Sequence, residues 1–323
     1  MRWQNQTVSA SQAEPEALPG MELPGLVRTV RTPEFAGVTF HEVLARSALN
    51  HVPSTSSSPF SWTVNPFRGC THACVYCFAR QTHTYLDLDA GDDFNSQIVV
   101  KVNVAEVLAR EVARASWSHE PVALGTNTDP YQRAEGRYRL MPGIIAALAG
   151  SGTPFSVLTK GTTARRDLPL LIDAAGRVPV SLAVSLALLD EPLHAALEPG
   201  TPGPRARLDL VRAITGAGLP CAVLVAPVLP LLTDGDGDLH AVLAEVAAAG
   251  ATSASVIALH LRPGAREWFL RWLGERHPDL VEPYGQLYRG TSYVVRSYAA
   301  DLSRRAAVLL RRHGLRGRAN IRE

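Results

Sequence analysis

Short apolar runs alternate with longer amphipathic ones along most of this chain. Positions 61–65, 98–102, 122–126, 155–159, 179–186, 221–227 and 254–260 have the length and apolar content of strands. Between them, apolar residues recur at helical spacing over 104–116, 141–150, 165–176, 205–217 and 238–249. Alternation of this kind predicts an α/β fold in which parallel strands are joined by crossover helices. Gly218 and Gly250 follow two of the helical runs, where helix-terminating glycines belong. Upstream, 38–50 carries a short helix-like pattern, and 53–59, Pro-Ser-Thr-Ser-Ser-Ser-Pro, reads as a loop. Residues 1–37 are rich in Ser, Gln, Glu and Pro without sustained periodicity, which predicts a poorly ordered leader. Beyond 262 the pattern changes: Trp268-Phe-Leu-Arg-Trp272 belongs to an amphipathic helix, and from Arg304 to Arg322 arginine pairs alternate with an Ala-Val-Leu-Leu stripe. The chain thus divides into a leader (1–37), an α/β body (38–262) and a helical C-terminal extension (263–323).

At 323 residues and 46% hydrophobic content the chain can bury a substantial core. Its N-terminus, Met1-Arg-Trp-Gln-Asn-Gln, lacks the apolar run of a signal peptide. The most apolar stretch, 222–232, is broken by Pro227 and Pro230 and is too short to span a bilayer. These features predict a cytoplasmic protein with no membrane partner. A net charge of +2 names no polyanionic partner by itself. Nearly all basic residues are arginine, however, and lysine stands only at Lys101 and Lys160. Lys160 ends a strand-like run, where barrel enzymes place functional groups.

Three of the four cysteines lie within eight residues, Cys70-Thr-His-Ala-Cys74-Val-Tyr-Cys77. That spacing aims three thiolates at one point. A structural zinc or a fully ligated cluster takes four protein ligands, whereas an iron–sulfur cluster on three cysteines keeps one iron open for chemistry. His72, His83 or Cys221 would complete a zinc site, but there is no second CxxC-like knuckle. A disulfide would leave one of the three cysteines unpaired.

The CxxxCxxC spacing is set in Trp62-Thr-Val-Asn-Pro-Phe-Arg-Gly-Cys70 and Tyr76-Cys77-Phe-Ala-Arg80. It resembles the radical S-adenosylmethionine (SAM) enzymes and, among them, the spore-photoproduct-lyase-like branch, whose members carry NPYRGC and YCYAR or YCFAR in this order. Phe67 stands where tyrosine is usual. Gly125-Thr-Asn-Thr-Asp-Pro-Tyr-Gln132, Leu158-Thr-Lys160 and Ala226-Pro-Val-Leu-Pro230 resemble further blocks of that branch, so the resemblance spans 38–262. It implies a partial (β/α)6 TIM-type barrel with a 4Fe-4S cluster on Cys70, Cys74 and Cys77, and SAM on the open iron. An external electron donor of flavodoxin or ferredoxin type would supply the electron that cleaves SAM to a 5'-deoxyadenosyl radical, which abstracts hydrogen from a substrate. A nucleic-acid base is the substrate class that the resemblance offers, by analogy.

The resemblance also implies SAM contacts at strand ends. Tyr76, with Phe78 beyond it, is placed near the adenine, although both also suit a core. Thr128 and Asp129 are placed at the SAM amino group, which needs acceptors once out of water; Asp129 equally suits a turn before Pro130. Lys160 suits the carboxylate or ribose, and Ser185, on one strand face with Ser181, the ribose. Arg207, downstream of Leu197-Glu198-Pro199, suits either a bidentate grip on the SAM carboxylate or a salt bridge to Glu198. No catalytic side chain is assigned beyond the cluster. Thr126 stands at or near the place where true spore photoproduct lyases keep a cysteine as hydrogen-atom donor, a task an alkoxyl O–H cannot perform. Lyase activity of that kind is not expected.

Tyr284, Tyr288 and Tyr293 among arginines have the composition of a nucleic-acid surface, while an apolar stripe packed on the barrel explains the tail equally. Asp234-Gly-Asp-Gly-Asp238 lacks the later glutamate of a calcium loop and reads as a turn before a helix. Gly150-Ser-Gly152 follows a helix and precedes a strand, the reverse of a dinucleotide loop. The competing class is a non-catalytic iron–sulfur or zinc protein with a structural or redox-sensing role. Polar residues at several strand ends favour the enzyme.

Overall fold

A computed structural model describes residues 25–53 and 60–317. Most of the leader (1–24), the loop over 54–59 and the end of the arginine-rich tail (318–323) lie outside the described residues. The chain gathers into two compact units, one of residues up to His72 and Thr82–Ser181, the other of Ala73–Gln81 and Leu182 onward. These units cut across the division into leader, body and extension.

The first unit contains β1 (Leu26–Arg31), β2 (Thr39–Val43), β3 (Leu49–His51), β4 (Trp62–Val64), β5 (Phe67–Arg68), β6 (Gln97–Lys101), β7 (Val122–Leu124) and β8 (Phe155–Thr159). Its helices are α1 (Asp92–Ser96), α2 (Val104–Val112), α3 (Arg133–Tyr138), α4 (Met141–Gly150) and α5 (Leu168–Ala175). One sheet has the order β1-β2-β6-β5, with β2 parallel to β6 and the outer pairs antiparallel. In the other, β3 pairs antiparallel with β4, and β4, β7 and β8 run parallel.

The first sheet corrects three expectations. Residues 26–31, inside the expected leader, form β1, held by its ladder to β2 and by the Arg28 guanidinium donating to Glu42 at 2.7 and 3.2 Å. The helix-like stretch 38–50 contains β2 and β3. Thr39-Phe-His-Glu-Val is buried throughout, so the polar/apolar alternation that marks a half-exposed strand is missing. Its polar members find partners in the sheet, His41 Nε2 lying 2.9 Å from Gln97 Oε1. β6 lies within a residue of its predicted bounds but pairs with β2 and β5 rather than joining the β4, β7, β8 run. Periodicity reports a strand's faces, not its neighbours.

In the second unit, β9 (Val180–Ser185, which enters the unit at Leu182), β10 (Cys221–Val228) and β11 (Ser253–Ala258) run parallel, alternating with α6 (Glu191–Leu197), α7 (Pro204–Gly216) and α8 (Asp236–Ala248). Gly218 and Gly250 take positive φ after α7 and α8, as predicted. The C-terminal helices are α9 (Ala265–Arg276), α10 (Val281–Tyr288) and α11 (Arg296–Arg312). α11 buries Leu302, Ala306 and Leu310 at four-residue spacing and leaves Arg304, Arg311 and Arg312 exposed, which is the packing reading of the tail. Tyr284 and Tyr288 are core residues and not part of an aromatic surface. Their hydroxyls donate to the Pro230 and Leu259 carbonyls, each at 2.8 Å, which satisfies them out of water.

Candidate active site

The cysteine loop leaves β5 and is shared between the units, Gly69–His72 belonging to the first and Ala73–Gln81 to the second. A buried amide clamps the backbone of its first half. Gln132 Oε1 accepts the Thr71 N–H at 2.8 Å, and Gln132 Nε2 donates to the Gly69 carbonyl at 3.1 Å. The Cys70 N–H donates to the Phe94 carbonyl at 2.9 Å. His72 Nδ1 faces Asp129 Oδ2 at 3.4 Å. Burial works against charge on His72, but Cys70 and Asp129 beside it outweigh burial and raise the imidazole to about 10.

Asp129 sits on the loop after β7. Gly125 turns the chain out of that strand at φ +86°, and a Cβ there would stand 1.9 Å from the Leu158 carbonyl oxygen, so only glycine fits. Asp129 Oδ1 accepts from the Tyr131 N–H at 2.9 Å and the Thr159 hydroxyl at 2.6 Å, while Oδ2 accepts the Lys160 N–H at 2.6 Å. Burial pushes this carboxyl up, yet His72 and the surrounding donors hold it below its ordinary value. The turn before Pro130 is therefore present, and the carboxylate joins the ends of β7 and β8. Thr128, also buried, donates to the Phe67 carbonyl at 3.0 Å. Lys160, half-buried at the end of β8, is brought to this carboxylate through its backbone.

Charge dominates the second half. The Val75 N–H donates to the Leu197 carbonyl at 2.9 Å, and Arg80, fully buried, donates to the Cys74 carbonyl at 3.1 and 3.0 Å. The Arg80 guanidinium lies 4.8 Å from the centroid of the Trp268 ring. Tyr76 packs in the core with Leu197 and Leu229, and its hydroxyl donates to Glu198. Glu198 is ion-paired with Arg207. Arg207 also donates to the Pro202 carbonyl at 2.9 Å, the Ser185 carbonyl at 3.0 Å and the Thr201 hydroxyl at 2.6 Å, and meets His194 Nε2 at 2.7 Å. Of the two roles left open for Arg207, the salt bridge is the one present. Burial and the adjacent Glu198 push the Tyr76 phenol well above its ordinary value. Burial disfavours the Arg207 charge, but Glu198 outweighs it and holds the guanidinium above its usual value. The Ser185 hydroxyl donates to the Ala226 carbonyl at 3.3 Å. Phe78 is 42% exposed, with the Arg262 guanidinium 5.2 Å over its ring, so the core alternative fails for it.

Gln132 and Arg80 lie inside sequence motifs yet went unassigned, because residue type does not distinguish a side chain that clamps backbone from a solvated one. A cavity of about 520 Å³ in the second unit, lined by Leu188, Leu193, Leu232, Trp272, Arg276 and His277 among others, includes none of the predicted site residues.

Of the three loop cysteines, Cys70 and Cys74 are buried and Cys77 is partly exposed. Among the described residues, no three His, Cys, Asp or Glu side chains converge as a metal cage. The donor chemistry nevertheless fits a three-thiolate cluster, since the thiols share one loop whose two halves are each anchored. The side chains that would complete a zinc site are engaged elsewhere. His83 Nε2 donates to the Gln97 carbonyl at 2.9 Å, His72 faces Asp129, and Cys221 opens β10 with its thiol pushed by burial to about 12.

Parallel strands with crossover helices make this an α/β protein, and its family match makes it an enzyme of the SAM-radical class. Residues 64–243 match the model of the radical SAM superfamily, and the chain belongs to that superfamily. An uncharacterized protein of Mycobacterium tuberculosis strain H37Rv is 58% identical over 319 residues, covering 98% of this chain and 94% of the relative. An uncharacterized protein of Acidianus two-tailed virus is 26% identical over 238 residues, covering 70% and 77%. Spore photoproduct lyase, solved with dinucleoside spore photoproduct, superposes with a TM-score of 0.64 at 16% identity, over 86% of this chain and 81% of that one. A mutant of the same enzyme with bound AdoMet and that ligand gives 0.65 at 16% identity over the same shares. This likeness shows the fold, the partial barrel of radical SAM enzymes. Membership implies a 4Fe-4S cluster and SAM. No helix among the described residues is long and apolar enough to cross a membrane.

Proposed function

We propose that Cys70, Cys74 and Cys77 hold the 4Fe-4S cluster of a radical SAM enzyme that abstracts hydrogen from a nucleic-acid base. Family membership across 64–243 together with three cysteines on one anchored loop carries this reading. When bound, the cluster and SAM supply an electron, received from an external flavodoxin- or ferredoxin-type donor, and a 5'-deoxyadenosyl radical. The chain's own groups orient and enclose. Gln132 and Arg80 fix the backbone of the two loop halves, and Asp129 orders the ends of β7 and β8 where Thr128 and Lys160 are offered to SAM. Ser185, at the end of β9, is a candidate ribose contact, and Phe78, directly after Cys77, offers an exposed face toward adenine. Arg207 is withdrawn from this set because Glu198 holds it.

A base as substrate is supported by two features. The structural relative was solved with dinucleoside spore photoproduct. In the second unit, the segment after β11 carries Arg262 over exposed Phe78 and His260 against exposed Tyr293, with ring centroids 4.8 Å apart, a stacking and cationic surface. A thiol hydrogen donor is not part of the proposal, since Thr126 follows β7 and Cys221 is buried in β10. The test is anaerobic reconstitution, dithionite reduction with SAM, and chromatography for 5'-deoxyadenosine, with Cys74→Ala beside the wild type. Deoxyadenosine from wild type alone is expected; none, with or without oligonucleotides, overturns the reading.

A further inference from the structure

Tyr76 stands between Cys74 and Cys77 and reaches Glu198, just past the C-terminal end of α6. Glu198 pairs with Arg207 in the first turn of α7, and Arg207 reaches the carbonyl at the end of β9. The two charged side chains are 0% and 1% exposed. An ion pair removed from water this completely is weak evidence for stability, because apolar residues of similar volume often hold two helices as well. A role for the charge itself is therefore the better explanation. Arg207 is thus linked through Glu198 to Tyr76, which lies in the loop between Cys74 and Cys77.

We infer that Tyr76, Glu198 and Arg207 are positioning residues that hold Cys74 and Cys77 in their ligating arrangement and set the reduction potential of the cluster through one buried negative and one buried positive charge. The inference rests on the cluster reading above. One-electron reduction adds negative charge to the cluster and its thiolates, so buried charges nearby shift the equilibrium in predictable directions. Glu198→Gln keeps the shape but leaves Arg207 uncompensated, favouring the reduced form. Arg207→Met leaves Glu198 and favours the oxidised form.

The experiment is an EPR-monitored redox titration of the reconstituted full chain, with iron content and thermal unfolding measured on each variant. Glu198→Gln is expected to raise the reduced-to-oxidised ratio at a fixed poise about tenfold, ~59 mV for a one-electron couple. Arg207→Met is expected to move it the other way, and Glu198→Asp to restore most of the wild-type value. Variants that fill with iron and titrate at the wild-type potential overturn the inference. If the charge variants fail to fold, Tyr76→Phe, which deletes one hydroxyl, decides. A broadened EPR signal and faster iron loss to a chelator support positioning, and an unchanged signal and loss rate overturn it. A wild type that assembles no iron–sulfur cluster overturns the cluster reading and this inference together, whereas a loaded wild type with unresponsive variants overturns this inference alone.

Discussion

The two halves of the cysteine loop are held by different physics. Gly69–Thr71 is clamped by the neutral amide of Gln132, with His72 paired to Asp129 just beyond, while Ala73–Gln81 rests on Glu198, Arg207 and Arg80. Breaking a neutral clamp orphans hydrogen-bonding groups; breaking a buried ion pair strands a charge. The same contrast separates two buried cations. Arg207, against Glu198, is held above its ordinary value, but Lys101 at the end of β6, with Arg68 beside it and Glu111 as the counter-charge, is driven by burial down to about 7. Compensation, not burial alone, decides what a buried charge does to the fold.

Glu198→Ala should cut deepest, about 3–5 kcal/mol, because Arg207 stays buried without its partner; denaturant unfolding of the apo protein reads this directly. Gln132→Leu orphans the Thr71 N–H and the Gly69 carbonyl and should lose about 2–4 kcal/mol in the same assay. Equal losses for the two would erase the distinction between the halves. Lys101→Met has the opposite sign. Its folded value lies below the ordinary 10.5, so the penalty of burying the ammonium is full below about pH 7. It is relieved as pH rises toward 10.5, where the unfolded chain keeps a proton that the folded one lacks. The variant should gain about 1–3 kcal/mol at pH 6 and lose the wild type's rise in Tm with pH; a wild-type profile would break the argument. Tyr76→Phe is the smallest, about 1–2 kcal/mol, since Arg207 still balances Glu198.

Regular elements with clear punctuation were legible from the chain. β8 occupies 155–159 and α4 141–150 as predicted, and the glycines after α7 and α8 take the conformations their positions require. β1 was hidden in a Ser- and Pro-rich leader, and β2 by burial on both faces, which removes alternation. β6 was seen as a strand but not as a partner of β2, because pairing is a tertiary property. At the site, the cysteine motif and the loop after β7 were visible as residue types. The identity of Arg207's partner was an open choice, because Glu198 and Arg207 come together only through the turn between α6 and α7. Tyr284 and Tyr288 carry the same letters as a stacking surface, and only the carbonyls they meet mark them as core.

The most direct test of the central claim is the EPR spectrum of the anaerobically reconstituted, reduced protein with and without SAM. The account predicts a 4Fe-4S signal that changes on adding SAM and disappears in Cys70→Ala, Cys74→Ala and Cys77→Ala alike. A cluster signal that ignores SAM, or one that survives loss of any of these cysteines, would contradict it.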